Sequence, residues 1–479
     1  MKKYTNIISS PNMKLAAVRD LKKNPEYEYN SVVIPEDFKS YGANKKYFIR
    51  TYGCQGNLRD SEVIAGILRE LGYTQTDSVD NADIIILNTC CVRENAEKKV
   101  FGEIGTLKSL KQKNPGLLIG VCGCMVQQEH IVDTLLSKYQ QVDLIFGTHN
   151  IHQLPSLIKD AVLANERVCS VLSNQGDIQE DLPSCRESTY KAWVNIMYGC
   201  NKFCTYCIVP YTRGKERSRK SIDILNEIKQ LKEMGYKEVT LLGQNVNAYG
   251  KDINDLSFAQ LMEQVALIGI DRIRFTTSHP WDFSDELIDV IAKYPNIMIE
   301  GCSGGGGRFD PAMLYYTPQI WTSDDTDAIE RLFIQYGTSI VYPPTSMVGH
   351  VSVTPNHQTG RITPFKTRGI VAMSANFGYE LNPQILSESE REMVKKQTKE
   401  YASLRKVIYD SDFYRLRSPF NGNDCAWSFV RKNKKEVYVM YVRILNAATN
   451  EFDYLLLKGL DANKIYENVE TKEDLWEVN

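Results

Sequence analysis

At 479 residues, with 43% hydrophobic and 24% charged side chains, the chain is too long for one compact domain and allows about two to four. Its formal net charge of −2 excludes a globally basic nucleic-acid binder and leaves room only for a local basic patch. No apolar run reaches membrane-spanning length, and the start, MKKYTNIISSPNMK, lacks a hydrophobic core followed by a small-residue cleavage site, so a cytoplasmic protein without a membrane partner is expected.

Residues 1–45 are polar, are interrupted by Pro11, Pro25 and Pro35, and read as an extension with one helix near Lys14 to Lys22. From Lys46 the pattern becomes strand, loop, helix. KYFIRTYGC is a short apolar run ending at Cys54, and DSEVIAGILRELG has the spacing of an amphipathic helix stopped by Gly72. ADIIILNTCC is a continuous apolar run, the mark of a parallel strand buried on both faces, and it ends at Cys90 and Cys91. GLLIGVCGCM repeats the arrangement and ends at Cys122 and Cys124, and DLIFGT is a fourth run of the same kind. Strands alternating with helices predict a doubly wound sheet with its ligands beyond the carboxyl ends of the strands. Three cysteine-bearing loops would therefore meet on one edge, where Cys54, Cys90 and Cys124 can hold an iron–sulfur cluster with one open iron. The competing reading, buried thiols packing as small hydrophobes, suits Cys91 and Cys122.

Ten of the twelve cysteines fall at or before Cys207, which in a reducing compartment points to metal sites more than to disulfides. Within Tyr198 to Lys220, YGCNKFCTYCIVPYTRGKERSRK, the residues Cys200, Cys204 and Cys207 stand in a C-x3-C-x2-C spacing. Three thiolates from one loop can hold three irons of a cubane and leave the fourth open for chemistry. A zinc site would need a fourth Cys or a His, and no His lies between His152 and His279. The Arg and Lys run after Cys207 is the one suggestion of a basic patch. Around this loop, WVNIMYGC reads as a strand, IDILNEIKQLKEMG as a helix capped by Ser221 and stopped by Gly235, and KEVTLLGQNVNAYG as the next strand and loop. A helix from Phe258 to Ile268 leads to a third strand, RIRFTTSHP. The repetition predicts a parallel barrel with Gln244, Asn245, Asn247, Ser278 and His279 at the functional strand ends, although Asn and Ser there also serve as ordinary turn residues.

The cysteine loop resembles the radical S-adenosylmethionine (SAM) signature, which implies that SAM chelates the open iron and is cleaved to a 5'-deoxyadenosyl radical. TYGCQGNLRDSE, LNTCCVRENAEKKVFGEIG, GVCGCMVQ, LLGQNVNAYG and TSHPWDF extend the likeness, from about Lys46 to about Met298, to the tRNA methylthiotransferases of the MiaB type. The resemblance implies two [4Fe-4S] clusters, an auxiliary one on Cys54, Cys90 and Cys124 and the SAM cluster on Cys200, Cys204 and Cys207, with Gln244 and Asn245 near SAM. It also implies a tRNA substrate, methylthiolated at C2 of N6-isopentenyladenosine beside the anticodon, and an electron donor such as flavodoxin or ferredoxin. Gly56 stands where that family usually has Met.

From Asn296, NIMIEGCSGGGGRFD begins a different pattern, and the family's later strands and RNA-binding end domain are not recognisable. CSGGGGRFDPAMLYYTPQIWTSDDTDAIERLFIQYGTSIVYPPTSMVGHVS and PNHQTGRITPFKTRGIVAMSANFGYELN resemble family 36 glycoside hydrolases, the α-galactosidases. The glycine run permits close approach to a sugar, and Trp321 offers an apolar face. That resemblance makes Asp324, beside Asp325, the acid/base and Cys302, Gly304 and Gly305 sugar contacts. No motif like the family's nucleophile strand precedes Cys302, and a retaining glycosidase needs two carboxylates, so this half is expected to be inactive. The chain reads as a chimera joined near Asn296 to Glu300, the product of a gene fusion or of sequence assembly, either an impaired methylthiotransferase or a non-functional fusion. The expected fold class is α/β: a doubly wound parallel-sheet domain (46–165) after the extension, a hybrid (β/α) barrel with radical SAM first strands (186–298) and glycosidase last strands (299–385), and a helix with a small antiparallel β-sandwich (386–479).

Overall fold

Alternating buried runs and amphipathic helices fold into separate sheets in two units, Met1–Pro295 and Asn296–Asn479, in the computed structural model. The structure describes residues 26–91, 94–164, 166–172, 177–205, 207–294, 299–302, 306–307, 309–446, 454–469 and 474–475. The helix expected near Lys14 to Lys22 lies outside them.

In the first unit β1 (Tyr27–Tyr29) pairs in parallel with β8 (Ile178–Glu180). Between them, β2 (Lys46–Thr51), β3 (Thr74–Gln75), β4 (Ile84–Thr89), β5 (Leu118–Gly123), β6 (Leu144–Phe146) and β7 (Val168–Ser170) form one parallel sheet in the order β3-β2-β4-β5-β6-β7. All six residues of β4 are buried, and its side chains alternate between two cores. Ile85 and Leu87 pack with Val100, Ile104 and Leu107 of the helix Glu94–Lys113, and Ile84 and Ile86 pack with Ile64, Ile67 and Leu68 of the helix Gln55–Glu70. Helices on both faces explain why the strand reads as a continuous apolar run, each buried Ile contributing about 1.5–3 kcal/mol.

A second parallel sheet of the same unit places β12 (Glu238–Leu242) between β9 (Lys191–Asn195) and β13 (Arg272–Thr276). The hairpin of β10 (Met197–Tyr198) and β11 (Arg217–Ser218) brackets the cysteine loop. Behind the sheet, Ile224, Ile228 and Leu231 of the helix Ser221–Glu233 meet Phe258, Leu261 and Val265 of the helix Phe258–Ile268. A Ser257/Gln260 capping box starts the latter and Gly269, at φ 73°, ends it. Ser221 is not the cap of its helix: Lys220 takes that position, and the Ser221 hydroxyl instead donates to Asp255 at 2.7 Å.

In the second unit β14 (Glu300–Gly301) pairs with β15 (Gln319–Ile320), and β16 (Val348–Ser352) with β17 (Asn376–Glu380), both in parallel. No closed barrel forms among the described residues: the parallel strands stay in one three-stranded and two two-stranded sheets outside the six-stranded one and the β1–β8 pair. β18 (Ser411–Arg417), β19 (Asp424–Arg431) and β20 (Val437–Arg443) make an antiparallel meander. Its apolar side, Cys425, Trp427, Phe429 and Met440, packs with Ile408 of the helix Glu388–Tyr409. In place of the expected sandwich, the described residues show this three-stranded sheet backed by a helix and a separate antiparallel pair, β21 (Tyr466–Glu467) with β22 (Asp474–Leu475). Cys425 is a fully buried core thiol.

Candidate functional site

The first group of thiols gathers where β2, β4 and β5 end. Cys54 is the N-cap of the helix Gln55–Glu70, a position whose free N–H groups and dipole favour an anionic ligand. Gly53 precedes it at φ 110°, and a Cβ there would stand 2.5 Å from the Cβ of Cys90 and 2.8 Å from its sulfur. Cys124 follows Gly123, at φ 96°, where a Cβ would meet the Thr89 carbonyl at 2.3 Å. These glycines let the loops close on one another. Asn57 is their fully buried centre. Its Oδ1 lies 3.7 Å from Cys54 Sγ and 3.9 Å from Cys124 Sγ, while its Nδ2 donates to the carbonyls of Tyr52 at 3.0 Å and Thr89 at 2.9 Å.

Charge at this centre is biased toward a thiolate. A hydrogen bond from Cys91 and, against burial, the guanidinium of Arg213 hold the Cys124 thiol below the usual range, while the same pairing and burial hold Cys91 up as the protonated donor. Cys122, inside the sheet, is pushed up by burial and packs in the core as its sequence position suggested. Arg213 is 5% exposed; its Nε donates to Cys124 Sγ at 3.1 Å and its Nη2 to Asn57 Oδ1 at 3.0 Å and Asp60 at 2.7 Å.

The second group lies in the loop that leaves β10. Gly199, at φ 74°, passes so close to Lys215 that a Cβ would sit 2.0 Å from its carbonyl oxygen. Cys200 N–H donates to the Gly214 carbonyl at 3.0 Å and Cys207 N–H to that of Cys204 at 2.8 Å, and Cys204 Sγ lies 3.8 Å from His279 Nε2. Burial pushes the Cys200 thiol up to about 11 and raises that of Cys207. Among the described residues no three His, Cys, Asp or Glu side chains close around a single ion. A cubane puts each thiolate on its own iron, whereas a zinc ion holds all of its thiolates at about 2.3 Å.

The end of β12 supports this loop. Gln244 Oε1 accepts from Gly199 N–H at 2.7 Å. Asn245 is fully buried and donates through Nδ2 to Glu216 at 3.1 Å and Asp282 at 2.6 Å, leaving its Oδ1 without a partner. Asn247 accepts from His279 N–H at 2.7 Å, and its own Nδ2 is likewise unmatched. Asp282, held low against burial by Lys202, Lys251 and Asn245, ties the loop residue Lys202 at 2.6 Å. A buried unmatched acceptor on Asn245 and a buried unmatched donor on Asn247, both on the loop after β12, suit a polar ligand with both kinds of group, as SAM is.

Sequence reading missed Asn57, Asp60, Arg213, Glu216 and Asp282, although each lies inside a stretch that carried the resemblance. It also misjudged the Arg run. Arg213, Arg217 and Arg219 are buried at 4–7% exposure, so the run is not an exposed basic patch. Arg219 donates to Glu180 at 2.5 and 2.7 Å and to Glu227 at 2.8 Å, and Arg186 bonds Glu227 at 2.7 Å. This network borders a polar cavity of about 510 Å³ that reaches Asp60, Tyr198 and Arg213.

In the second unit Asp324 lies four residues beyond β15 and Cys302 is exposed, whereas Gly304 and Gly305 fall outside the described residues. The Trp321 ring is stacked on His350, centroids 4.4 Å apart, so that face is occupied within the unit.

Residues 46–147 match the model of the uncharacterized protein family UPF0004, 194–301 that of the radical SAM superfamily, 282–410 that of melibiase, and 424–476 that of the glycosyl hydrolase family 36 C-terminal domain. The chain is 56% identical over 299 residues to tRNA-2-methylthio-N(6)-dimethylallyladenosine synthase of Geobacillus thermodenitrificans, covering 62% of this chain and 57% of that protein. The enzyme of the same name from Bacillus mycoides is 56% identical over 299 residues, 62% of this chain and 58% of the relative. The chain thus spans less than two thirds of the length of these curated relatives. A solved family 36 α-galactosidase from Geobacillus stearothermophilus is 25% identical, covering 96% of this chain and 53% of its own, at a TM-score of 0.41. A radical SAM methyltransferase from Kitasatospora setae is 11% identical, covering 56% and 60%, at a TM-score of 0.37. The chain is a chimera, its first part similar to the methylthiotransferases and its last to the family 36 hydrolases.

Proposed function

We propose that the chain is a radical SAM transferase of the tRNA methylthiotransferase type. Cys54, Cys90 and Cys124 hold one [4Fe-4S] cluster, Cys200, Cys204 and Cys207 a second, and Gln244 and Asn245 line the SAM site. The observation that supports this most is the backbone at Gly56. A Cβ there would stand 3.5 Å from Cys54 Sγ and 3.9 Å from Gln244 Nε2, so the two sites share a rim.

When bound and reduced, the second cluster supplies the electron that cleaves SAM. The residues of this chain have narrower duties. Gln244 fixes Gly199 and with it the start of the cysteine loop, Asp282 and Glu216 hold its Lys202 and Asn201, and Asn245 keeps an acceptor ready for a donor group of SAM. Cys200 and Cys207, held protonated by burial, give up their protons as iron binds, which makes loading easier as pH rises.

The substrate proposed is tRNA carrying N6-isopentenyladenosine, methylthiolated at C2, with flavodoxin or ferredoxin as electron donor in the cytoplasm. Among the described residues no helix is long and apolar enough to cross a membrane. The domains proposed are 46–165 for the auxiliary cluster, 186–298 for the radical SAM strands, 299–385 for the glycosidase-like strands and 386–479 for the helix and sheet. Because residues from Asn296 onward are of another kind, tRNA modification is weaker than SAM cleavage. Anaerobic reconstitution with iron and sulfide tests the reading: about eight irons per chain and dithionite-dependent SAM cleavage are expected. Iron for one cluster or none, or intact SAM, rejects it. The glycosidase-like half, with Asp324 and no recognisable nucleophile, leaves a nitrophenyl α-galactoside intact.

A further inference from the structure

We infer that Arg213 is a positioning residue for the auxiliary cluster, donating a hydrogen bond from Nε to the sulfur of Cys124 while that sulfur ligates iron and so making the cluster easier to reduce. The inference rests on the assignment of Cys54, Cys90 and Cys124 proposed above and concerns a residue outside that ligand set.

Burying a guanidinium is costly unless every face finds a partner. Arg213 finds three: Asp60 at 2.7 Å, Asn57 at 3.0 Å and Cys124 Sγ at 3.1 Å. The Asp60 carboxylate offsets its charge on one edge, and Asn57, held in turn by Tyr52 and Thr89, fixes the plane of the fork. With Nη2 held in this way, the Nε–H points at Cys124 Sγ. An N–H aimed at a ligating sulfur withdraws electron density from the iron and favours the reduced cluster, one of the ways a protein sets such potentials.

Arg213 also comes from the other site. It follows Cys207 by six residues, at the end of the short helix Val209–Thr212. The chain that carries the SAM cluster therefore delivers the side chain that touches a ligand of the auxiliary one. A lysine, with a compact charge and no planar fork, cannot meet all three partners at once.

The test uses the full chain with Cys200, Cys204 and Cys207 changed to Ala, so that only the auxiliary cluster is loaded. After anaerobic reconstitution it should hold about four irons, and its potential and electron paramagnetic resonance signal are read by redox titration. Arg213→Met should keep the iron but shift reduction to a more negative potential, with altered g values. Arg213→Lys should fall between the two. Unchanged potentials in both variants overturn the inference and leave the cluster assignment standing, and a parent chain that takes up no cluster overturns both. If Arg213→Met fails to fold or to load, the Lys variant decides: a potential equal to that of the parent counts against the role, a lowered one for it.

Discussion

His350 shows how much one buried residue can set. Its ring nitrogens are buried without a hydrogen bond, although a Glu380 oxygen lies 3.2 Å from Nε2, and burial together with Arg331 lowers its pKa from 6.5 to about 3. The native second unit therefore holds a neutral imidazole, whereas the unfolded chain takes up a proton below pH 6.5. Its contribution to stability is full above pH 6.5 and is lost as pH falls from 6.5 toward 3, with a slope approaching about 1.4 kcal/mol per pH unit. Urea melts of the chain and of His350→Leu across that range check it, since the variant should lose this part of the slope. Gly53 makes the matching point in the first unit. Gly53→Ala drives a Cβ into Cys90 at a backbone angle that Ala resists, so auxiliary iron should fall by at least half while circular dichroism stays native. Iron assays on the Cys200, Cys204, Cys207 triple-Ala background measure it.

The elements were legible where burial is a local matter. ADIIILNTCC declares β4 because both faces of that strand are covered, and the cysteines at successive strand ends follow from the parallel order. The Arg run was misread because its partners are remote. Glu180 lies on β8 and Glu227 on the helix Ser221–Glu233, and nothing in the spacing of RGKERSRK reveals that they close over Arg219. Asn57 and Asp282 were hidden for a similar reason, since their roles exist only once distant loops meet. Glu227 is the keystone of the Arg network: against burial, Arg219, Arg59 and Arg186 bring its carboxyl down to about 2. Removing it leaves Arg219 with Glu180 and Arg59 and Arg186 with Glu62, so Glu227→Ala should cost about 1–3 kcal/mol in denaturant unfolding of the first unit. Loss of less than about 1 kcal/mol would show that solvent already screens the network.

At the scale of the whole chain, the change of pattern at Asn296 and the division of the fold at Pro295 coincide. The sequence could place the seam because two families' motifs abut there, but it could not say whether strands on either side would close one barrel, a matter of geometry rather than of motif. Limited proteolysis should therefore release a resistant fragment ending near Pro295 that retains all six proposed cluster ligands and their iron; cutting first inside the six-stranded sheet would refute that. The gap at Gly56 matters for the life of this molecule in air. With Cys54 exposed and no Cβ on Gly56, where one would stand 3.5 Å from the Cys54 sulfur, the cluster proposed there lies open to dioxygen from this side. A Cβ at Gly56 would make only ordinary contacts of 3.5–4.0 Å, so Gly56→Met can be accommodated, and the bleaching of the reconstituted protein's visible absorption under air should slow at least twofold in that variant. Oxidative lifetime, as distinct from catalytic power, is then the property of the proposed cluster that a missing side chain would set.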